Sequence, residues 1–364
     1  MGMPANRPPK ILVAGGGVSG LEAILALQSL APGWFDIEML APERHFIHRE
    51  STAGAPFEPI TPIRSELSAI AEDRGFDLTR DALDRVDVGA RDVVTQGGDR
   101  MAYDVLVLAL GARPVAAVHG ALPFRGGQDA AAVEVALERI GSGPMRVAYV
   151  ARSVATSTLP LYELALQTGT WAKERDVAAD ILLATGELEP LEAFGSRASR
   201  QVADLLRASG VRFIPGADVD RVQDGRLRIG SEGSIRVDLA VALPILLGPA
   251  VPGVPQDLGG FTPVDDRGRV SGLDDVYAVG DMTSRPLKQD GLAAQQADVA
   301  AGAIAAAAGA PVRVEPYRPV LRAMLHGGQA PLYLRNPPAE DEVVAPDGHL
   351  AQYLATRGEL QTVH

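Results

Sequence analysis

Three glycines, at positions 15, 17 and 20 of the stretch KILVAGGGVSGLEAILAL (residues 10–27), have the spacing that brings backbone N–H groups against a pyrophosphate. A glycine permits the tight turn, a second lets a ligand approach the main chain, and the helix that follows offers the positive end of its dipole. With Val18 and Ser19 inside the same turn, the expected phosphate cradle is Gly15, Gly17, Val18, Ser19 and Gly20. An acidic residue after the next strand would hold ribose hydroxyls. Glu43 lies past the end of IEML, where a loop can reach a ligand, whereas Glu38 lies within that strand. Glu43 read as a solvated loop charge is the competing view.

Other chemistry is bounded by composition. The chain of 364 residues has no cysteine, which removes disulfides, thiolate metal sites, iron–sulfur clusters and thiol relays together. His45 and His48 stand three apart in HFIHRE without a third metal ligand nearby, so hydrogen-bonding loop histidines are expected and no metal. A net charge of −12 argues against nucleic acid and gives no electrostatic reason to bind an anionic membrane.

The elements that must position these residues follow from hydrophobic pattern. KILVA is a short apolar run of the kind a buried parallel strand needs, LEAILALQSLA reads as the helix behind it, and FDIEML closes a βαβ unit. Residues 84–109 alternate as an antiparallel meander turning at Gly97 and Gly98, then end in DVLVLAL. A second strand–helix series runs through RVAYVA, LPLYELALQT, DILLAT, ASRQVADLLRASG and VRFIP. VYAV adds a late strand, and the alanine-rich segment between Gly291 and Gly309 reads as a helix. The pattern predicts an α/β protein with two Rossmann-like modules. The last fifty residues, with Pro316, Pro319, Pro337 and Pro338, read as loops and short strands. The first ten residues hold no apolar core of a signal peptide, and the uncharged run 239–256 is broken by four prolines. A cytoplasmic protein with no integral membrane segment is expected. The mixed-charge tail gives only slight support to peripheral membrane contact.

LVAGGGVSGLEAILAL, YDVLVLALGARP and GLDDVYAVGDMTSRPLKQDGLAAQQADVAA, in that order, resemble the three cofactor-contacting segments of the pyridine nucleotide–disulfide oxidoreductase superfamily. LPLYELAL, KQDGLAAQQAD and PYRPVLRAML are similar to the branch containing sulfide:quinone oxidoreductases, flavocytochrome c sulfide dehydrogenases and type II NADH dehydrogenases. The resemblance implies an FAD-dependent oxidoreductase with non-covalent FAD. It implies a discontinuous FAD domain (1–118 and 250–310), a second Rossmann-like domain (119–249) and a C-terminal segment (311–364). It extends the cofactor site to Glu43, Arg44, Arg49, Val88, Ala109, Gly111, Gly280, Asp281, Lys288, Gln289, Gly291 and Leu292. Among these, Asp281 is expected on the ribityl chain. The helix starting near Gly291 is expected to point at the flavin, where its positive end favours the reduced form. Lys288 adds to that effect or is an exposed loop lysine. Lys288, Asp290 and His326 are the catalytic candidates, with Tyr317 and Arg318 on the acceptor side.

Four departures from the family pattern bear on function. Leu110 replaces a threonine before GARP, and Asp290 stands where glycine is usual, either capping the helix or facing the flavin. Residues 145–168 contain no glycine, so the second module is expected to have lost the backbone approach to NAD(P)H; Arg152, Ser153, Ser157 and Thr158 are the side chains left to hold a phosphate. The paired cysteines through which the sulfide oxidisers work are absent. Direct two-electron (hydride) transfer through FAD is therefore expected, with a quinone or small organic molecule as partner. An NAD(P)H-dependent flavin or quinone reductase and a catalytically degenerate flavin-binding scaffold or sensor are the alternatives, and a homodimer is a candidate assembly.

Overall fold

A computed structural model describes residues 7–48, 62–126, 129–141, 143–152, 157–230, 233–327, 331–336 and 348–357. Two five-stranded parallel sheets organise it. The first has the order Val276–Ala278, Val105–Leu108, Lys10–Ala14, Asp36–Leu40, Asp77–Thr79. The second has the order Leu122–Pro123, Leu239–Ala242, Met145–Val150, Ala179–Ala184, Val211–Ile214. Each has a three-stranded antiparallel meander beside it, Leu83–Ala102 for the first and Val219–Arg236 for the second. The inner strands are apolar on both faces because each sheet is covered on both sides there, so Ile11, Leu12 and Val13 are all 0% exposed.

The first sheet is completed by Val276–Ala278 only after the chain has built the second. Two crossing segments, Arg113–Val115 and Ile245–Leu247, pair antiparallel where the chain leaves one module and returns. Helices Val18–Leu30 and Asp290–Ala307 pack together on one face of the first sheet. Ala297, Ala300 and Ala301 are 0–1% exposed there, and their small side chains let the helices come close to Leu21 and Ile24. Gly309, at φ +97°, follows Ala308 past the end of the second helix, where a left-handed residue closes a helical turn.

The C-terminal region departs from the expectation of loops and short strands. It contains the hairpin Leu321–Leu325/Leu332–Asn336 and also a helix, His349–Thr356, whose Leu350, Tyr353 and Leu354 are buried in the first core. Among the described residues no helix is long and apolar enough to cross a membrane.

Candidate functional site

The three glycines of the first turn have three separate jobs. Gly15, at φ +119°, lies so close to the neighbouring strand end that a Cβ would stand 2.3 Å from the Ala109 carbonyl oxygen. A Cβ on Gly20 would fall 2.0 Å from the Gly15 carbonyl oxygen, so this glycine sets the helix against the strand. A Cβ on Gly17 would meet nothing within 4 Å; this residue occupies the N-cap of helix Val18–Leu30, where no side chain caps the first N–H groups. The open side of that turn is therefore available to a ligand's anionic oxygens.

A cleft of about 290 Å³ begins there. It brings together Gly15, Gly17, Val18, Ser19, Glu43, Ala109, Gly111, Asp281 and Asp290, residues drawn from four distant stretches of the chain. Of the two acids considered for the ribose, Glu38 is engaged by Lys10 Nζ at 2.7 Å and Thr79 Oγ1 at 2.6 Å, whereas Glu43 lines the cleft. Gly280, at φ +75°, packs its bare Cα against Ser19, and its N–H donates to Gln296 Oε1 at 3.2 Å. Thr283 donates to the same oxygen at 3.1 Å, so buried Gln296 braces the turn that carries Asp281.

Asp281 is half-buried in the cleft wall, and among the described residues no donor reaches its carboxylate. Burial and the charge of Asp290 push its pKa up to about 6, against a smaller opposing pull from Lys288. A carboxylate in that state is set to accept a hydroxyl from a ligand. Asp290 is the first residue of helix Asp290–Ala307, not its cap. Gln289 takes the N-cap position, with its side-chain amide donating to the Arg322 carbonyl at 2.8 Å.

Lys288 is not an exposed loop lysine. Its side chain is buried, its ammonium donates to the Thr283 carbonyl oxygen, and it lies 4.3 Å from the centre of the Phe261 ring. Burial pulls its pKa down to about 8, partly offset by Asp281 and Asp257. It supports the Asp281 turn from behind and does not line the cleft.

The remaining candidates lie elsewhere. Arg44 is exposed and paired with Glu66 at 2.9 Å. Arg49 falls outside the described residues. Val88 is half-buried against the core between the first sheet and its meander. Gly291 has open space around its Cα at the start of the helix, and Leu292, 2% exposed, points into the core of the second module. His326 uses its backbone N–H to reach buried Glu163 at 2.9 Å and lines none of the cavities described in this section. His45 and His48 stand in a strand, His45–His48, and not in the expected loop; His45 pairs across an antiparallel strand pair with Glu66, its Nε2 3.8 Å from that carboxylate.

Beside the cleft is a larger cavity of about 560 Å³, between helix Asp290–Ala307, residues 315–322 and helix His349–Thr356. Its wall is mostly apolar, with Val299, Val320, Leu350 and Leu354, and Tyr317 and Arg318 also contribute. Val18 and Asp290 line both spaces, so they form the partition between them.

In the second module the strand Met145–Val150 leads to helix Leu159–Glu174, as in the first, but the residues between them include no glycine. Ser153 lies outside the described residues. The Thr158 hydroxyl at the helix N-cap donates to Glu187 Oε1 at 2.9 Å, and Tyr162 and Thr185 donate to Oε2 at 2.8 and 3.0 Å. Buried Glu187 thus takes up the hydroxyl that was a candidate phosphate holder. Sequence reasoning missed this cluster, along with Phe261 and Gln296, because the partners that define each of them lie in other elements.

The cradle that a Cβ would fill and the unmet Asp281 carboxylate fit FAD. The structure is similar to that of the sulfide:quinone oxidoreductase from the hyperthermophilic bacterium Aquifex aeolicus (TM-score 0.79, 20% identity, 96% of this chain and 90% of that one). It is similar also to NDH2 from Plasmodium falciparum in complex with NADH (0.70, 12%, 98% and 95%) and to a ferredoxin reductase from Rhodopseudomonas palustris (0.67, 17%, 89% and 81%). At these identities the likeness establishes the fold. The sequence model described as pyridine nucleotide-disulphide oxidoreductase matches residues 10–306, and the chain accordingly belongs to that family of FAD-dependent oxidoreductases.

Proposed function

We propose that this oxidoreductase exchanges two electrons directly between FAD and a quinone or other small ring-bearing organic molecule, with no cysteine relay. The observation that carries this reading is the apolar cavity of about 560 Å³, which shares Val18 and Asp290 with the cofactor cleft. Its size suits a small organic ligand. Bound FAD would supply two-electron, hydride-type chemistry. The chain's part is to bind and orient. Gly17 admits the phosphates, Asp281 accepts a cofactor hydroxyl, and the start of helix Asp290–Ala307 provides donors and a positive dipole end that Asp290 partly offsets. The domain limits, with FAD held by 1–118 and 250–310 beside a second module at 119–249 and a C-terminal segment from 311, belong to the same proposal.

The second reading, an NAD(P)H-dependent reductase, is favoured by the complete second parallel sheet and by a structural relative in complex with NADH. Against it stand the absence of glycine from 145–168 and the Thr158 hydroxyl engaged by Glu187. One experiment separates the readings: anaerobic visible spectroscopy of the purified holoprotein with NADH, NADPH and reduced menadione in turn. Bleaching by reduced menadione alone supports direct quinone chemistry. Prompt bleaching by either nicotinamide supports the reductase, and no bleaching by any donor points to a flavin-binding scaffold.

A further inference from the structure

Three charged side chains from distant parts of the chain meet at one end of the apolar cavity. Glu22 lies one helical turn beyond Val18 on helix Val18–Leu30 and is 1% exposed. Its Oε2 accepts the backbone N–H of Leu350 at 2.7 Å, and its Oε1 accepts the backbone N–H of His349. The carboxylate of one helix therefore caps the first turn of another, supplying the acceptor that helix His349–Thr356 has no side chain of its own to provide. His349 Nδ1 lies 3.1 Å from Glu22 Oε1 and 3.1 Å from Asp298 Oδ1, which comes from helix Asp290–Ala307. Gly348 fits the arrangement, because a Cβ there would stand 2.8 Å from Glu22 Oε1.

Burial pushes the Glu22 pKa up, while hydrogen bonds to Asp298 and Glu22 push that of His349 up to about 10. The imidazole is accordingly a cation at neutral pH between two acids. The other charges lining the cavity are Asp290, Glu315, Arg318 and Arg322. At the far end of the short helix, Arg74 and Arg357 lie over the Tyr353 ring, and Asp73 pairs with Arg357 at 3.8 Å.

We propose that Glu22, Asp298 and His349 form an ionic clasp that seats helix His349–Thr356 as a wall of the substrate cavity, making them positioning residues for a neutral ring-bearing ligand held against Val18 and Asp290. The inference rests on the quinone reading of that cavity. Glu22 and Gly348 line the cavity together with Leu350, Ala351 and Leu354, so the clasp and the apolar wall move as one piece. An eight-residue helix is too short to hold its shape unaided, so its seating depends on its cap and its buried face.

The test uses FAD-loaded wild type and His349→Ala, with His349→Gln as a variant that keeps a donor without the charge. Amide hydrogen exchange is followed over 350–357, and menadione binding by quenching of flavin fluorescence. The expected result is exchange roughly tenfold or more faster, confined to 350–357 in His349→Ala, smaller in His349→Gln, with menadione bound several-fold more weakly. Unchanged exchange, or equal acceleration across both sheets, overturns the clasp. Faster local exchange with unaltered menadione affinity overturns its role as a cavity wall. Failure of wild type to bind menadione overturns the quinone reading instead, and the exchange data alone then decide whether the clasp exists.

Discussion

Gly17 and Gly20 stand three residues apart in one motif, yet the structure assigns opposite consequences to the same added methyl group. At Gly20 a Cβ would meet the Gly15 carbonyl oxygen at 2.0 Å, and that neighbour is backbone with no rotamer to change. Overpacking of this kind costs about 3 kcal/mol. Gly20 lies inside a helix, where alanine gains about 1 kcal/mol over glycine, so the net loss for Gly20→Ala is about 2 kcal/mol. For a cooperative unit this large, that is roughly a 2–4 °C fall in the melting temperature of the apoprotein. Gly17 has φ −86°, open to any residue, and nothing lies within 4 Å of its would-be Cβ. Gly17→Ala should then lose only about 0.5 kcal/mol as a poorer N-cap. Its methyl would instead stand where the phosphates approach, and FAD should bind about ten- to a hundredfold more weakly. The assays are thermal unfolding of the apoproteins and titration with FAD followed by flavin fluorescence. Gly17→Ala binding FAD within about threefold of wild type, or Gly20→Ala apoprotein melting with wild type, would refute the division of labour drawn here.

Three further outcomes follow. Asp290→Gly should raise the midpoint potential of the bound flavin, since it removes a negative charge from the helix start that faces the cleft; spectroelectrochemistry giving an equal or lower potential excludes that role. Asp281 has a folded-state pKa of about 6 against 3.8 when exposed, so the folded apoprotein holds the extra proton more tightly and its stability falls as pH rises from about 4 to 6. Apoprotein of Asp281→Asn should lack that decline and gain stability over wild type at pH 7, and parallel pH slopes in denaturant melts would contradict the assignment. Glu187→Ala strips three buried hydroxyls of their acceptor and should destabilise the protein by about 2–3 kcal/mol, measured by urea unfolding; a loss under about 0.5 kcal/mol would mean the cluster is replaceable by water.

What the sequence disclosed about the site was backbone chemistry, and what it hid was side-chain chemistry between remote segments. The requirement for no Cβ at positions 15 and 20 is local, so it is written as residue type at fixed spacing, and the strand before it and helix after it are legible for the same reason. The burial of Lys288 is set by Phe261 and by the Thr283 carbonyl, so the neighbouring Leu287 and Gln289 carry no trace of it. The Glu22–His349 contact spans 327 positions and has no sequence signature at all. The C-terminal helix was readable, because Leu350, Tyr353 and Leu354 repeat at helical spacing, but that apolar face is short and the charges around it obscure it. Asp290 joins both kinds of information. Its identity is a local departure from the family pattern, yet its meaning depends on two cavities that share it as a wall, one built from the glycine turn and the other closed by the helix that Glu22 caps. Changes at the C-terminal clasp should therefore reach the cofactor cleft through the partition of Val18 and Asp290, and of these two Asp290 carries the charge through which an altered cavity would be felt as an altered flavin.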